Sequence, residues 1–488
     1  MAAPLLPAEC LNQILSECHA NKVPLYQYLF ISRLWCECVL YFIWLKPFER
    51  KINVTFQEKR SEQLIRTLIT CLPYDSKKLL QENGIQLPNN HLESKTLFNY
   101  QNFIRKLDPQ LVGWATREWI SKSSTALTID EDALNRKNYI LSKEILKLLI
   151  RGKKLTSKFV LSQRSIIYDD NTQMPIHELL PNAQDFMAKI RSLVCNYPNE
   201  IPVATFNSLS QSATDIEVFN LSLYDENNDL IQLIRTQRGI KKLKLVSDRL
   251  NSKFDEALKE HTEKITYVKC TETLSISPDT LTQCQNLKDL ILYCKIPKDT
   301  FVVLGNAQYP KLQKLDLKLN NLDLERLSRI IKTTKGQMEV LKLQWSTYDP
   351  ENTSSLLKAV GDHCPRIVEL MIPIRSEDAS GLAYLFSKCH HVQSIMLISK
   401  VDIVQDGDQI VTAIADNSSK SLRSCSIHGC WKYTPKVWQT FCERQQSNSS
   451  PIRISLTDRV SGSLSPEIIS ILRHHDELGC IIYDDLQK

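Results

Sequence analysis

Leu287-Lys288-Asp289-Leu290-Ile291-Leu292 and, further along, Leu312-Gln313-Lys314-Leu315-Asp316-Leu317 carry one pattern: an apolar residue, two of any kind, an apolar residue, one of any kind, an apolar residue. Ile240-Lys241-Lys242-Leu243-Lys244-Leu245 is a third clean copy. Further copies begin at Ile216, Ile265, Met338, Ile367, Val392, Leu422 and, weakly, Pro451, with a period of about 26 residues. The alternation inside each copy is that of a strand with one face buried. Between copies the spacing predicts short amphipathic helices: Leu324, Leu327, Ile330 and Ile331 form one apolar face, Leu382, Leu385 and Phe386 another, and Val411, Ile414 and Ala415 a third. One strand and one helix cannot cover each other's apolar faces completely, so neighbouring copies must stack and share a core. Unrelated βα units in a doubly wound sheet would alternate similarly, but would not hold a fixed phase. Leu478, Ile481 and Tyr483 are expected to form a last, capping copy.

The period and pattern resemble leucine-rich repeats, which implies an α/β horseshoe with a parallel β-sheet over residues 211–488. The eighth position after each start, usually Asn or Cys in such repeats, holds Asn320 and Cys430, with Ser346 and Thr273 as polar substitutes. Strand side chains alternate, so the residues between the apolar positions point out of the concave face. These include Lys242, Lys244, Lys269, Lys314, Lys318 and Lys342 in the earlier copies, and Met371, Met396 and Ile398 in the later ones. A basic sector beside an apolar one suits a protein partner with an acidic or phosphorylated segment next to an apolar anchor. The same lysines would also serve simply to keep a strand surface soluble.

The first fifty residues read as a compact three-helix unit. Pro7 and Glu9 suit a first helical turn, and Leu11, Ile14, Leu15 and Cys18 follow as one stripe. Pro24 opens a second helix with Leu25, Tyr28 and Leu29, and Trp35, Val39, Phe42 and Ile43 mark a third. Such a unit carries more large apolar side chains than three short helices can cover, so part of that surface needs a partner or the rest of the chain. Leu6-Pro7-x-Glu9-x-Leu11-x-x-Ile14-Leu15, then Leu29-x-Ile31-Ser32-Arg33-x-Trp35, then Trp44, resembles an F-box over residues 1–50, with Cys18 standing where that family usually has leucine. The resemblance implies docking onto the Skp-type adaptor of a cullin-RING ubiquitin ligase, with adaptor contacts from Leu6, Pro7, Leu11, Ile14, Leu15, Ile31, Arg33 and Trp35. It also implies a non-catalytic role: substrate recognition for an SCF-type ligase, the repeats holding an unknown target protein.

Residues 51–210 read as a mostly helical linker with degenerate first repeats. Helices are expected over 61–72, 77–82 ending at Gly84, 97–107, 110–120, 139–151 and 182–195, with a strand at Phe159-Val160-Leu161. No chemistry is visible there. The chain has 488 residues, only 12 of them glycine, against a typical share of about 7%. That leaves little for phosphate-cradling loops, and no nucleotide, hydrolase or metalloprotease fingerprint occurs.

A formal charge of +6 is too small over this length to imply nucleic acid. The apolar run Val39 to Leu45 cannot span a bilayer, so no membrane is expected. The 15 cysteines are scattered without a CxxC pair, and the N-terminal residues lack a signal-peptide pattern, so reduced thiols in cytoplasm or nucleus are expected. Cys425, His428, Cys430 and Cys442 look like metal ligands, but Cys425 falls at an inward position and Cys430 at a turn, so their directions diverge and no cofactor is expected. His363-Cys364 and Cys389-His390-His391 fall where histidine complements a helix C-terminus. Two other readings stay open: a repeat scaffold without any ligase, and a thiol enzyme.

Overall fold

The structure is a computed structural model. It describes residues 6–21, 23–48, 54–87, 96–123, 130–152, 157–161, 176–297, 299–319, 323–345, 353–399, 403–446, 450–457 and 464–484. Asn320 and Ser346 lie outside the described residues. The chain divides into two compact units, Met1–Ile240 and Lys241–Lys488.

The second unit is a parallel α/β solenoid. Its strands are β5 (Lys242–Ser247), β6 (Tyr267–Thr273), β7 (Asp289–Lys295), β8 (Lys314–Leu319), β9 (Val340–Trp345), β10 (Glu369–Pro373), β11 (Ser394–Ile398), β13 (Ser424–His428), β15 (Ile452–Thr457) and β16 (Ile481–Asp484), each hydrogen-bonded to the next in parallel. A short side pair, β12 (Gln405–Asp406) and β14 (Trp431–Lys432), forms a separate parallel ladder. The phase of the pattern is the register of the sheet: Lys242, Tyr267, Asp289, Lys314, Val340, Glu369, Ser394, Ser424 and Arg453 are successive partners, each two residues after a start, Pro451 included. One residue earlier, a backbone bond recurs from copy to copy. The Gln313 N–H donates to the Lys288 carbonyl, Glu339 to Gln313, Val368 to Glu339, and Gln393 to Val368, each at 2.8 Å.

The inward leucines and isoleucines of the strands are sealed, among them Leu243, Leu292, Leu317, Leu343, Ile372 and Leu397, while Tyr483 of β16 is half-buried. Helices cover that side. Leu324–Thr333 buries Leu324, Leu327, Ile330 and Ile331 as its spacing demands, and Asp323 caps it by accepting from the Arg326 N–H at 3.0 Å. Asn251 and Ser277 cap the helices Ser252–Leu258 and Pro278–Thr282 in the same way. Ala379–Lys388 buries Leu382, Leu385 and Phe386, whereas Asp408–Asn417 buries Ile410, Val411, Ala413 and Ile414 and leaves Ala415 only half covered. Gly429 follows β13 at φ 118°, where a Cβ would stand 2.1 Å from the Ser399 hydroxyl oxygen. The last copy is shifted from expectation. Leu478 is an exposed residue closing the helix Pro466–Glu477, and the strand begins at Ile481, whose partner is Ile452.

The first unit begins with a helix, α1 (Ala8–Ala20), a 3-10 turn over Tyr26–Phe30 and a second helix, α2 (Arg33–Ile43). The segment after Pro24 winds as 3-10 rather than α, too short for a full helix once Ser32 caps α2 by accepting from the Trp35 N–H. Further along, the interval expected as linker contains the parallel strands β1 (Lys106–Leu107), β2 (Lys158–Leu161) and β3 (Ser192–Cys195), followed by β4 (Val218–Ser222). Two expected helices are corrected. Residues 97–107 form a 3-10 turn and β1, and residues 182–195 form a short helix, Gln184–Met187, and β3. Ile104, Leu107, Ile190, Leu193 and Cys195 are all sealed, so the repeat pattern is already running before residue 211. The longer helices of this unit include Val54–Cys71, Tyr74–Glu82, Pro109–Ser123, Glu131–Ile150, Val203–Ser212 and Asn228–Arg235.

Candidate protein-binding surfaces

In the N-terminal module, Leu11, Leu15, Leu25, Cys38 and Val39 make a closed core, with Tyr28, Trp35, Phe42 and Ile43 packed against it. Leu11 and Leu15 are 1% and 0% exposed. Both hold α1 in place from beneath the module's surface, whereas an adaptor contact is expected of them from the sequence. Leu6 and Ile14, in contrast, are 47% and 44% exposed, Ile31 is 56% exposed, and Pro7 is open to solvent. Arg33 is exposed and pairs with Glu37 at 3.4 Å, which contributes little on a wet surface. Trp35 is half-buried, its ring 5.8 Å from that of Tyr28.

Phe30, at 88%, is the most exposed of these large apolar side chains, and Tyr26 beside it is also exposed. Both escaped the sequence reading because they interrupt the helical stripe. An exposed aromatic in a 3-10 turn has no periodic signature. Another face of the module is occupied within the same unit. Trp44 packs on Tyr100 with ring centres 4.7 Å apart, and the Arg105 guanidinium lies 5.3 Å from the Tyr41 ring. Surplus apolar surface is thus divided between the chain itself and solvent.

On the open face of the solenoid, the registered rows bring the expected residues together. Lys244, Lys269, Ile291, Asp316, Lys342, Met371, Met396 and Ser426 form one continuous row across eight strands. Lys242, Lys244 and Lys318 are exposed; Lys269, Lys314, Lys342, Met371, Met396 and Ile398 are half-buried. The lysines differ sharply in their surroundings. Lys314 pairs with the buried Asp316 at 3.7 Å, and Lys342 pairs with Glu369 at 2.7 Å. Asp316 also accepts from the Tyr293 hydroxyl at 2.9 Å. Burial and that bond push the Tyr293 phenol up to about 12. Burial likewise raises the Asp289 carboxyl, against the opposing pull of Lys314, Lys242 and Lys288.

The basic sector is therefore narrower than a count of lysines suggests. From β7 to β10, Asp289, Asp316 and Glu369 stand among the lysines; on β5 and β6 the registered open-face positions carry Lys242, Lys244 and Lys269 and no carboxylate. These ammonium groups face aromatic rings instead. Lys244 lies 5.8 Å from the centre of Tyr267, and Lys269 lies 5.1 Å from that of Tyr293. Acids and tyrosines occupy alternating positions equivalent to those of the expected lysines. Position alone could have found them, since Asp289 and Glu369 stand two residues after a start, as Lys242 does.

Further along, Met371 accepts a hydrogen bond from the Gln344 amide at 3.0 Å, Met396 is its registered neighbour, and Ile398 lies one pleat beyond, opposite Pro373 and His428.

The cysteines of the repeats are buried except Cys480, which is half-buried. Burial pushes Cys270, Cys284, Cys364, Cys425 and Cys442 up to about 12, which keeps these thiols protonated and poorly nucleophilic at neutral pH. Cys425 is sealed in β13 and Cys430 in the turn after it. Among the described residues, no group of three or more His, Cys, Asp or Glu side chains is placed to hold a metal ion. His363 ends the helix Thr353–His363, and the Cys389 thiol donates to the Cys364 carbonyl at 3.4 Å. Among the described residues, no helix is long and apolar enough to cross a membrane.

No family model matches the sequence, and no curated protein does. Among solved structures, the chain is similar to the crystal structure of the Rad7 and Elc1 complex in yeast, at 11% identity and a TM-score of 0.37, over 74% of this chain and 92% of that one.

Proposed function

We propose that this chain is the substrate-recognition subunit of a cullin-RING, SCF-type ubiquitin ligase, its N-terminal module docking onto a Skp-type adaptor and its repeats holding a target protein. One observation carries the reading. The module's own core is closed by Leu11, Leu15, Leu25, Cys38 and Val39, yet Leu6, Ile14, Phe30 and Ile31 remain exposed, so much of their apolar surface is left uncovered by the chain. Exposed aliphatic and aromatic anchors on a small helical unit suit hydrophobic packing into a groove between foreign helices. The mechanism is proximity: with the target on the repeats and the adaptor on the module, other subunits raise the effective concentration of activated ubiquitin near target lysines. The chain does no covalent chemistry of its own, and works in cytoplasm or nucleus.

Co-expression of the full chain with a Skp-type adaptor tests this. The two should co-purify, and Leu6→Ala with Pro7→Ala should reduce capture by more than about ten-fold, because a few buried anchors dominate such interfaces. Undiminished capture by the double variant, or none by the unmodified chain, rejects the docking and leaves the reading of a scaffold without a ligase.

A further inference from the structure

Lys244 and Lys269 are registered neighbours on adjacent parallel strands, and Lys242 stands two residues before Lys244 on the same face. Strand spacing places the Lys244 and Lys269 backbones about 5 Å apart. Two ammonium groups in such proximity repel each other. Elsewhere on the face the chain answers a lysine with an acid, Asp316 for Lys314 and Glu369 for Lys342. Here Lys244 and Lys269 face the rings of Tyr267 and Tyr293, which hold the ammonium groups without neutralising them, and the carboxylate that Lys242 acts on, Asp289, stands two strands away. The apolar side chains Met371, Met396 and Ile398 lie on β10 and β11. They are half-buried and carry no charge. The open face thus has an anion-seeking end and an apolar end, and along the row that joins them Asp316 and Lys342 are already paired, while Lys318 stands exposed one row further on.

We infer that the target segment is an extended peptide with two anchors at a fixed separation: an anionic group held by Lys242, Lys244 and Lys269, and an apolar side chain held by Met371, Met396 and Ile398. This rests on the reading of the repeats as the target-binding part and adds the chemistry of the target. From β6 to β10 is four strand steps, or about 19 Å, and from β5 to β11 is six, or about 29 Å; at about 3.3 Å per residue an extended peptide covers these in about six to nine residues. The middle of the segment crosses Asp316, Lys342 and Glu369, which are paired and ask for no charge from the ligand. Either a phosphorylated side chain or a run of carboxylates supplies the anion.

The test uses the full chain and fluorescein-labelled polar peptides carrying one phosphoserine and one leucine at separations from about two to about twelve residues, read by fluorescence anisotropy. A second series replaces phosphoserine by paired glutamates. Affinity should peak at the intermediate separations. It should fall about ten-fold in Lys244→Glu with Lys269→Glu, and comparably in Met371→Ser with Met396→Ser. Binding in the first series alone assigns a phosphorylated ligand, and binding in both assigns an acidic one. A readout independent of ligand comes from Lys244→Gln, which should weaken peptide binding without lowering the unfolding midpoint, since it relieves repulsion. Affinity that ignores the separation, survives the charge reversal or is undetectable in every series overturns the inference. Adaptor capture measured on the same preparation keeps the two readings apart: intact capture without peptide binding removes only this inference, and lost capture with peptide binding removes only the docking.

Discussion

The N-terminal module and the repeat unit treat apolar residues in opposite ways. In the repeats, inward side chains such as Leu243, Leu292, Leu317 and Leu397 are sealed, and the helices' apolar stripes with them. In the module, a core of comparable quality around Leu15 and Val39 coexists with Phe30, Ile31, Leu6 and Ile14 in solvent. A stacked array satisfies its apolar faces from neighbouring copies, so what it offers outward is charge and shape. The module has such a neighbour on one face only, where Trp44 meets Tyr100, and the apolar surface left over on its other side is what it offers. Under the proposed function, that difference would give hydrophobic docking to one region and charge-selective binding to the other.

The largest expected effect that would break this contrast is on stability. Leu317→Ala should cost about 3 kcal/mol, seen as a lowered denaturant midpoint of the repeat unit, because it removes sealed methyl groups from a shared core. Phe30→Ala should stay within about 0.5 kcal/mol while weakening adaptor capture. Equal costs from the two would show that Phe30 supports the chain's own fold.

A smaller effect sharpens the charge side. The Tyr293 phenol is held up to about 12 by burial and by its bond to Asp316. Its proton is bound more tightly in the folded chain, so stability falls as pH rises from the ordinary tyrosine value of about 10 toward 12. Tyr293→Phe should make that alkaline loss shallower, and spectrophotometric titration should lose one late-ionising phenol. Loss of a phenol that ionises near the ordinary value of about 10 instead would mean that Tyr293 is not held by burial and Asp316.

Smallest is Glu369→Gln, which should cost less than about 1 kcal/mol, since its pair with Lys342 is only partly buried. Its use is diagnostic. Freeing Lys342 extends the unneutralised cations toward the apolar end, and the preferred peptide separation should shorten. An unaltered preference would show that pairing does not set the boundary of the anion-seeking end.

The register of the second unit was legible because the repeat pattern fixes phase, and even Pro451 marks its strand correctly through its partner row. The first unit misled for a physical reason. Phe186, Met187, Ile190, Leu193 and Val194 also fit a helical stripe, so Ile190-Arg191-Ser192-Leu193-Val194-Cys195 satisfied two periodicities at once. Tertiary pairing with β2 and β4 decided for the strand. At the open face, alternation located the lysines, but which of them are neutralised depends on neighbours one repeat away. In the module, a stripe cannot say which of its members face inward: Leu11 and Ile14 belong to the same one, and only Leu11 is covered.

The backbone bond that hangs each copy on the second residue of the copy before it makes the face a ruler graduated in strands. Deleting or duplicating one whole repeat between β7 and β9 would leave every other joint intact and move the two ends of the face by one graduation, about 5 Å. An array built this way can be retuned to a longer or shorter ligand by counting copies, without redesigning a single contact.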